Sequence, residues 1–535
     1  MISNNVPEKS TYVIVGSGPA GISAAMALTG CGHHVTILDV GDELDREKES
    51  LVSHMSRQRV EEWDAADLDE ISGKRGPTED TVHSKQSFGS SYSFAPDDRG
   101  TRVEWRGKRG FHHSHARGGL SNVWGAAMLP CRSGDIADWP VRLSELEPHY
   151  RAVMGFVPCT SSGGSLEDIL PSYGADGAAL EPSAQAGDLA GDLARSEEAL
   201  KGRGIRFGKS RLAIRTGCGY CALCLTGCPY GLIWSSAHTL RDLLASGKVT
   251  YLKRHLVEAF CNEGGQVAVS GTNLDDGSPF AVRATRLFLA GGVIPTAALV
   301  LGSLGAFGKG LKLLDSQYFI YPLLKLRNTE DVETERMHTS AQLFMEIEDA
   351  AISPHGVHLQ LYGYSAFLRE ELERTFLRFP LRSRIFRREF LGRLMVVQGF
   401  LHSRHSGRIT LRLVRESDGK NRLECQGCRD FGTVRKILLV GWKLLLQVRL
   451  TKAIPLFPGL KIASPGSSNH SGGSLPMREN PGEFETDAMG RLHGFPHVHI
   501  VDASVLPSIP ATTVTFTLMA NSHRIATLAQ ELDSE

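Results

Sequence analysis

The most apolar long segment of these 535 residues, "ILLVGWKLLLQV", is too short to cross a bilayer: it spans about twelve residues and contains Lys443, whereas a spanning helix needs about 20. The start of the chain has no basic stretch followed by an apolar one, so no signal peptide is expected. A reducing, cytoplasmic setting is the resulting expectation. An excess of one charge is also missing: 59 Lys+Arg balance 59 Asp+Glu, leaving no global field to recruit nucleic acid. Internal repeats and low-complexity tracts are absent, which argues against a solenoid or a disordered chain.

What remains is an ordinary globular composition, 41% hydrophobic and 22% charged, with length for two or three domains. "TYVIVGSGPAGISAAMAL" reads as a strand, a glycine turn and a helix. Gly16, Gly18 and Gly21 fit G-x-G-x-x-G, with Pro19 and Ala20 between them. The first glycine permits the turn, the second lets backbone approach a pyrophosphate, and the third lets helix pack on strand. The helix N-terminus offers N–H groups and partial positive charge to phosphates. A second strand, "HVTILDV", ends at Asp39, where a ribose hydroxyl is expected. A dinucleotide site follows, with FAD and NAD not separated by this motif.

Ten cysteines are unevenly placed, four of them within eleven residues. Cys218, Cys221, Cys224 and Cys228 in "TGCGYCALCLTGCPYG" have the C-x2-C-x2-C-x3-C spacing of an iron–sulfur site, 4Fe-4S or 3Fe-4S. A four-thiolate zinc site and plain thiols or disulfides in a surface loop are the competing readings. Cys131, Cys425 and Cys428 are remote alternatives for the fourth ligand. Residues 40–115 are polar and irregular, and 160–190, rich in Gly, Ser, Ala and Pro, read as a surface loop. Two basic apolar stretches, 367–397 and 434–457, suit either an amphipathic helix packed on the core with its arginines outward, which is favoured, or the surface of a membrane at the cytoplasmic face.

Five ordered segments resemble the glucose-methanol-choline (GMC) family of flavin oxidoreductases: "VGSGPAG", "GGLSNVWGA", "LFLAGGVIPTAALVLGS", "HSGGSLPM" and "GRLHGFPHVHIVDASVLPSIP". The GG-x-S-x-x-W form is most similar to the pyranose oxidase branch, which acts on sugars. No match is recognised over roughly 305–460. The resemblance implies a mixed α/β fold: a Rossmann-type FAD-binding domain and a substrate domain on an antiparallel sheet. The FAD domain would comprise 1–45, 100–135, 210–305 and 462–535. An insertion would occupy 46–99, and the substrate domain 136–209 and 306–461. Gly118, Gly119, Ser121, Asn122 and Val123 would lie against the flavin. Val257, Gly291, Asp502 and Ala503 would complete the cofactor site, with Ser504 beside them. Val123 stands where some members bond FAD through a histidine, so FAD is expected to be non-covalent. Some relatives carry a comparable cysteine segment, in certain cases binding iron and sulfur.

The resemblance also implies hydride transfer from an alcohol to flavin. His470 matches the catalytic histidine. An imidazole suits removal of the hydroxyl proton, because its ordinary pKa lies near working pH. Thr513 falls where the family has a second His or Asn; its hydroxyl orients well but is a poor base. Asn469 and Thr512 are the adjacent alternatives. The expected substrate is a sugar or sugar-like secondary alcohol, with a sterol or long-chain alcohol as runner-up. An electron-acceptor protein is the further partner, with electrons passing through the cluster if it exists. A non-catalytic electron carrier is the rival class.

Overall fold

The computed structural model describes residues 6–72, 86–94, 99–106, 113–161, 164–365 and 384–534. Lys9–Val15 lies between Val35–Leu38 and Pro279–Leu289, parallel to both. Val249–Leu252 extends this sheet on one side and Phe495–Ile500 on the other, again in parallel. The hairpin of His255–Glu263 and Gln266–Asn273 docks antiparallel on Pro279–Leu289. Parallel strands are covered on both faces and read as continuous apolar runs. Accordingly, all of Val35–Leu38 and the stretches 12–14 and 287–289 are buried. This is the expected Rossmann-type sheet, assembled from both ends of the chain. The last helix, Val514–Ser534, packs along Pro19–Gly30 and Leu143–Met154.

A second sheet is antiparallel throughout. Its order is Ala453–Pro455, Gln317–Lys325, Leu394–Leu401, Ser353–Tyr362, Leu343–Asp349, Ile205–Lys209. Side chains alternate faces with period two. Phe319, Tyr321, Leu359, Leu361, Met395 and Val397 enter a core closed by Ile437, Val440 and Leu444 of the helix Phe431–Leu446. The alternate residues, including Tyr318, Gln360 and Gln398, face a cavity instead.

A third sheet was not anticipated. Ser471-Gly472, Gly310–Asp315, Arg408–Arg415 and Asn421–Cys428 pair antiparallel, and Arg102–Arg106 joins in parallel. Its outer members are two and five residues long, too short for a periodic signal. The 160–190 segment also differs from a surface loop. Leu166, Leu170 and Tyr173 are buried, and buried Arg211 donates to the carbonyls of Leu170 and Pro171 and to Glu167. A helix then starts at Ala184, capped by the Ser183 side chain. Of the 367–397 stretch, residues 367–383 lie outside the described residues.

One clamp fixes the last helix to the first sheet. Arg286 donates to both Asp533 oxygens, at 2.8 and 2.7 Å, and Tyr12 donates to the same carboxylate at 3.0 Å. Bidentate charged pairs outweigh ordinary ones, though Asp533 is a quarter exposed, which screens it. Arg286→Ala should lower unfolding free energy by about 1–2 kcal/mol in a denaturant titration; an unchanged midpoint would show the clamp idle.

Candidate active site

The turn after the first strand is shaped by contact. Gly16 has φ +98°, and a Cβ there would sit 2.7 Å from the Ala290 carbonyl. A Cβ on Gly21 would lie 2.0 Å from the Gly16 oxygen, so the helix approaches the strand only without a side chain. At Gly18 nothing lies within 4 Å. Gly18 also caps the helix Pro19–Gly30 with no side chain bonded to its first N–H groups. Those donors therefore remain available to an anion.

A buried polar hub ties this turn to two remote segments. The Ser17 hydroxyl donates to Asp39 and accepts from the Gly118 N–H at 2.9 Å. Tyr251 donates to the same Asp39 oxygen at 3.0 Å. Ser236 Oγ lies 2.9 Å from the carbonyls of both Ser17 and Gly118. Ser121 Oγ donates to Gly118 O at 2.6 Å and accepts from Ser236 N at 3.0 Å. Asn122 closes the turn by donating to Arg117 O and Gly119 O. Gly118 and Gly119 both have positive φ, and a Cβ on Gly119 would stand 3.3 Å from Gly18 Cα. The GG-x-S-x-x-W turn thus lies directly over the phosphate-binding turn.

These segments line a cavity of about 530 Å³. Of the residues expected at a cofactor, Gly16, Gly18, Pro19, Ala20, Asp39, Gly119, Ser121, Val123, Val257, Gly291, Asp502 and Ala503 line it. Gly21, Gly118 and Asn122 do not; they hold the backbone that does. The fit to FAD rests on this cradle: an open glycine at a bare helix N-terminus, and an acid at the end of the second strand. Asp39 Oδ2 accepts from both Ser17 and Tyr251. Asp502 is committed to protein, accepting from Gly292 N, Thr296 and Ser504 N, and so bonds the C-terminal segment to the start of the helix Val293–Ser303.

His470, Asn469 and Thr513 line the same cavity. His470 is positioned by the third sheet: it directly precedes Ser471, which pairs with Asp315, and its carbonyl accepts from Ser316 N at 2.9 Å. Its ring stacks on Phe400 at 4.7 Å, and its buried Nδ1 has no partner. Burial, then the nearby His358, pushes its pKa down to about 3, so the imidazole is neutral. Thr513 Oγ1 accepts from Leu129 N at 3.2 Å, leaving its hydrogen to donate. Thr512 is turned to the Pro130 carbonyl.

Sequence reasoning missed the opposite wall. Tyr318, Gln360, Tyr362, Gln398 and Phe400 reach the cavity from the second sheet. Tyr362 donates to Gln360 Oε1 at 2.8 Å, and the Gln360 amide lies 3.1 Å from His358 Nε2. His358 Nδ1 meets Glu346 at 2.5 Å, and both side chains are fully buried. His115, with Nδ1 buried and unpartnered, is a second missed wall residue. Its signal was its place just before the paired glycines.

The metal expectation for the cysteine segment is not supported. All ten cysteines are free, and among the described residues no group of three or more His, Cys, Asp or Glu could hold a metal ion. Cys221 packs with Leu223 and Tyr230 against Met55, Trp63 and Ile71. Cys224 reaches the cavity wall. Cys218 accepts from the Tyr220 N–H. Burial pushes the Cys221 thiol up to about 12 and raises Cys218 and Cys228 as well, favouring thiol over thiolate. These placements give no support to an iron–sulfur cluster or a four-thiolate zinc site. Among the remote candidates, Cys131 is buried against Tyr150.

Comparison with known proteins bears on the C-terminal part of this site. Residues 461–522, which include His470, Asp502 and Thr513, match the family GMC oxidoreductase. The segment is that of a GMC oxidoreductase. The match covers this C-terminal segment and makes it similar to the corresponding part of GMC oxidoreductases. The crystal structure of pyridoxine 4-oxidase from Mesorbium loti superposes with a TM-score of 0.60 at 15% identity, covering 98% of this chain and 99% of that one. No curated protein matches. Solved structures contribute 616 matching chains, so the fold alone selects no substrate.

Asp39 generates a signed prediction. Burial pushes its pKa up to about 6 against the hydrogen bonds from Ser17 and Tyr251. The folded flavin-free protein therefore holds this proton where the unfolded chain has lost it. The stabilisation is full below the unfolded value of 3.8 and is lost as pH rises through about 6. Denaturant unfolding at pH 4 and 7 should show Asp39→Asn lacking about 2 kcal/mol of the wild-type pH dependence. Equal slopes would place Asp39 in contact with water.

Proposed function

We propose that this GMC oxidoreductase oxidises a secondary alcohol of a sugar-like, polyhydroxylated substrate, with non-covalent FAD, His470 as general base and Thr513 as orienting donor. The observation that carries this reading is the meeting of His470, Thr513 and the glycine turn in one cavity opposite a polar wall. Bound FAD supplies the hydride acceptor. The neutral imidazole of His470 offers a lone pair to the hydroxyl proton as the C–H bond breaks, and Phe400 holds the ring plane. Thr513 donates to the substrate oxygen from its fixed position at Leu129 N.

The polar wall favours a hydroxylated substrate over a sterol. Tyr362 spends its hydrogen on Gln360, so its oxygen is left to accept from a substrate hydroxyl. A hydrocarbon against this wall would offer the Tyr362 oxygen no hydrogen-bond donor, whereas a substrate hydroxyl would. Cys224 and Leu225 act as wall residues in this reading, and no electron path runs through the cysteines.

His470→Ala should reduce turnover by on the order of 10²–10⁴ while flavin stays bound; near-normal turnover would remove His470 from the role. Because burial holds the imidazole neutral, wild-type turnover should not fall between pH 7 and 5, and a loss centred near 6.5 would contradict that. Tyr362→Phe should raise KM for polyhydroxylated alcohols about tenfold with little change in kcat. An unchanged KM for such alcohols, with better turnover of a sterol, would favour the apolar substrate.

A further inference from the structure

The helix Phe431–Leu446 carries two apolar stripes. One, Ile437, Val440 and Leu444, is buried in the core of the second sheet. The other faces solvent: Phe431 is 86% exposed, Leu446 72%, Trp442 53%, and Val434 and Leu438 38% each. The last four follow one another every four residues, so they form a single line along the helix. Scattered surface hydrophobics need no explanation, but a contiguous apolar row marks an interaction surface. The buried face fixes the helix orientation. Tyr321 donates to Ile437 O at 2.7 Å, and a Cβ on Gly441 would come within 2.8 Å of Phe457 and Tyr321. Lys436 and Lys443 are held by Ile352 O and Asp349. The outward row is therefore a rigid feature of the domain.

Charge around the row selects what covers it. No Asp or Glu occurs from residue 431 to residue 478. Arg435, Arg449 and Lys452 are exposed. Leu326, 45% exposed, adjoins the far end through its N–H bond to Lys452 O. A convex helix with a Phe-, Trp- and Leu-bearing row and basic residues alongside suits the boundary between headgroups and acyl chains of an anionic bilayer. Among the described residues no helix is long and apolar enough to cross a membrane. We infer that the helix Phe431–Leu446 docks this enzyme peripherally on an anionic lipid surface through Phe431, Val434, Leu438, Trp442 and Leu446. The sequence alone favoured this helix packed on the core with its arginines outward. It is packed on the core, but its outward face is largely apolar.

The test is flotation of the flavin-loaded full chain with vesicles of phosphatidylcholine, with and without one-third phosphatidylglycerol. Binding is expected with the anionic vesicles and should weaken as salt rises. Trp442→Ser with Leu446→Ser should reduce partitioning roughly tenfold or more. Arg435→Glu with Arg449→Glu should do the same. Both pairs should keep flavin content and turnover, since none of these residues touches the cavity. Equal binding to neutral vesicles, or binding indifferent to both pairs of changes, would overturn the inference. So would a dimer in solution that the Trp442/Leu446 changes disperse while no vesicle binds; the row would then be covered by a second copy.

Discussion

The Ser17 hydroxyl joins three parts of the chain that are far apart in sequence. It donates to Asp39 on the second strand and accepts from the backbone of Gly118, and Ser236 bonds the carbonyls on both sides of that contact. A buried hydroxyl–carboxylate hub of this kind is stable only when every member is partnered. Its geometry therefore fixes where the paired-glycine turn lies over the turn that follows the first strand. Through Ser236, the chain leaving the cysteine segment is fixed too. The cavity exists where it does because these contacts leave no other place for the paired glycines.

The two candidate side chains reach that cavity from independent supports. His470 comes from the edge of the third sheet, and Thr513 comes from the residue before the last helix, whose far end is clamped by Arg286. The substrate wall comes from a third support, the alternate face of the antiparallel sheet. Placing reactive groups on separate rigid elements is how a site holds its geometry without strain. The same sheet presents its opposite face to the helix Phe431–Leu446, so the cavity wall and the exposed apolar row stand on two sides of one layer.

Much of this was legible in the chain. The strand, turn and helix around Gly16, Gly18 and Gly21 were readable because each glycine answers a separate steric demand. Segment order placed His470 and Thr513 in one site. The third sheet was not legible, since strands such as Ser471-Gly472 carry no periodicity of their own. The cysteine spacing describes the reach of a loop and does not by itself fix the direction of its thiols: Tyr220 and Ala222 take left-handed conformations, and Cys221 packs in a hydrophobic cluster. The wall formed by Gln360 and Tyr362 was hidden because a two-residue period tells which residues share a face but not what that face meets. For the helix Phe431–Leu446, two apolar stripes were present and pattern alone could not say which was buried.

The central claim is that one cavity unites a nucleotide grip, a buried neutral histidine and a polar substrate wall in a working oxidoreductase. Anaerobic mixing of the purified flavin-loaded protein with polyhydroxylated alcohols, sterols and long-chain alcohols, followed by the flavin absorption spectrum, tests it most directly. The account predicts bleaching by polyhydroxylated alcohols within turnover time, with the flavin released intact on denaturation. Absence of bleaching by every alcohol, in a protein that still binds flavin, would contradict it and leave an electron carrier in its place.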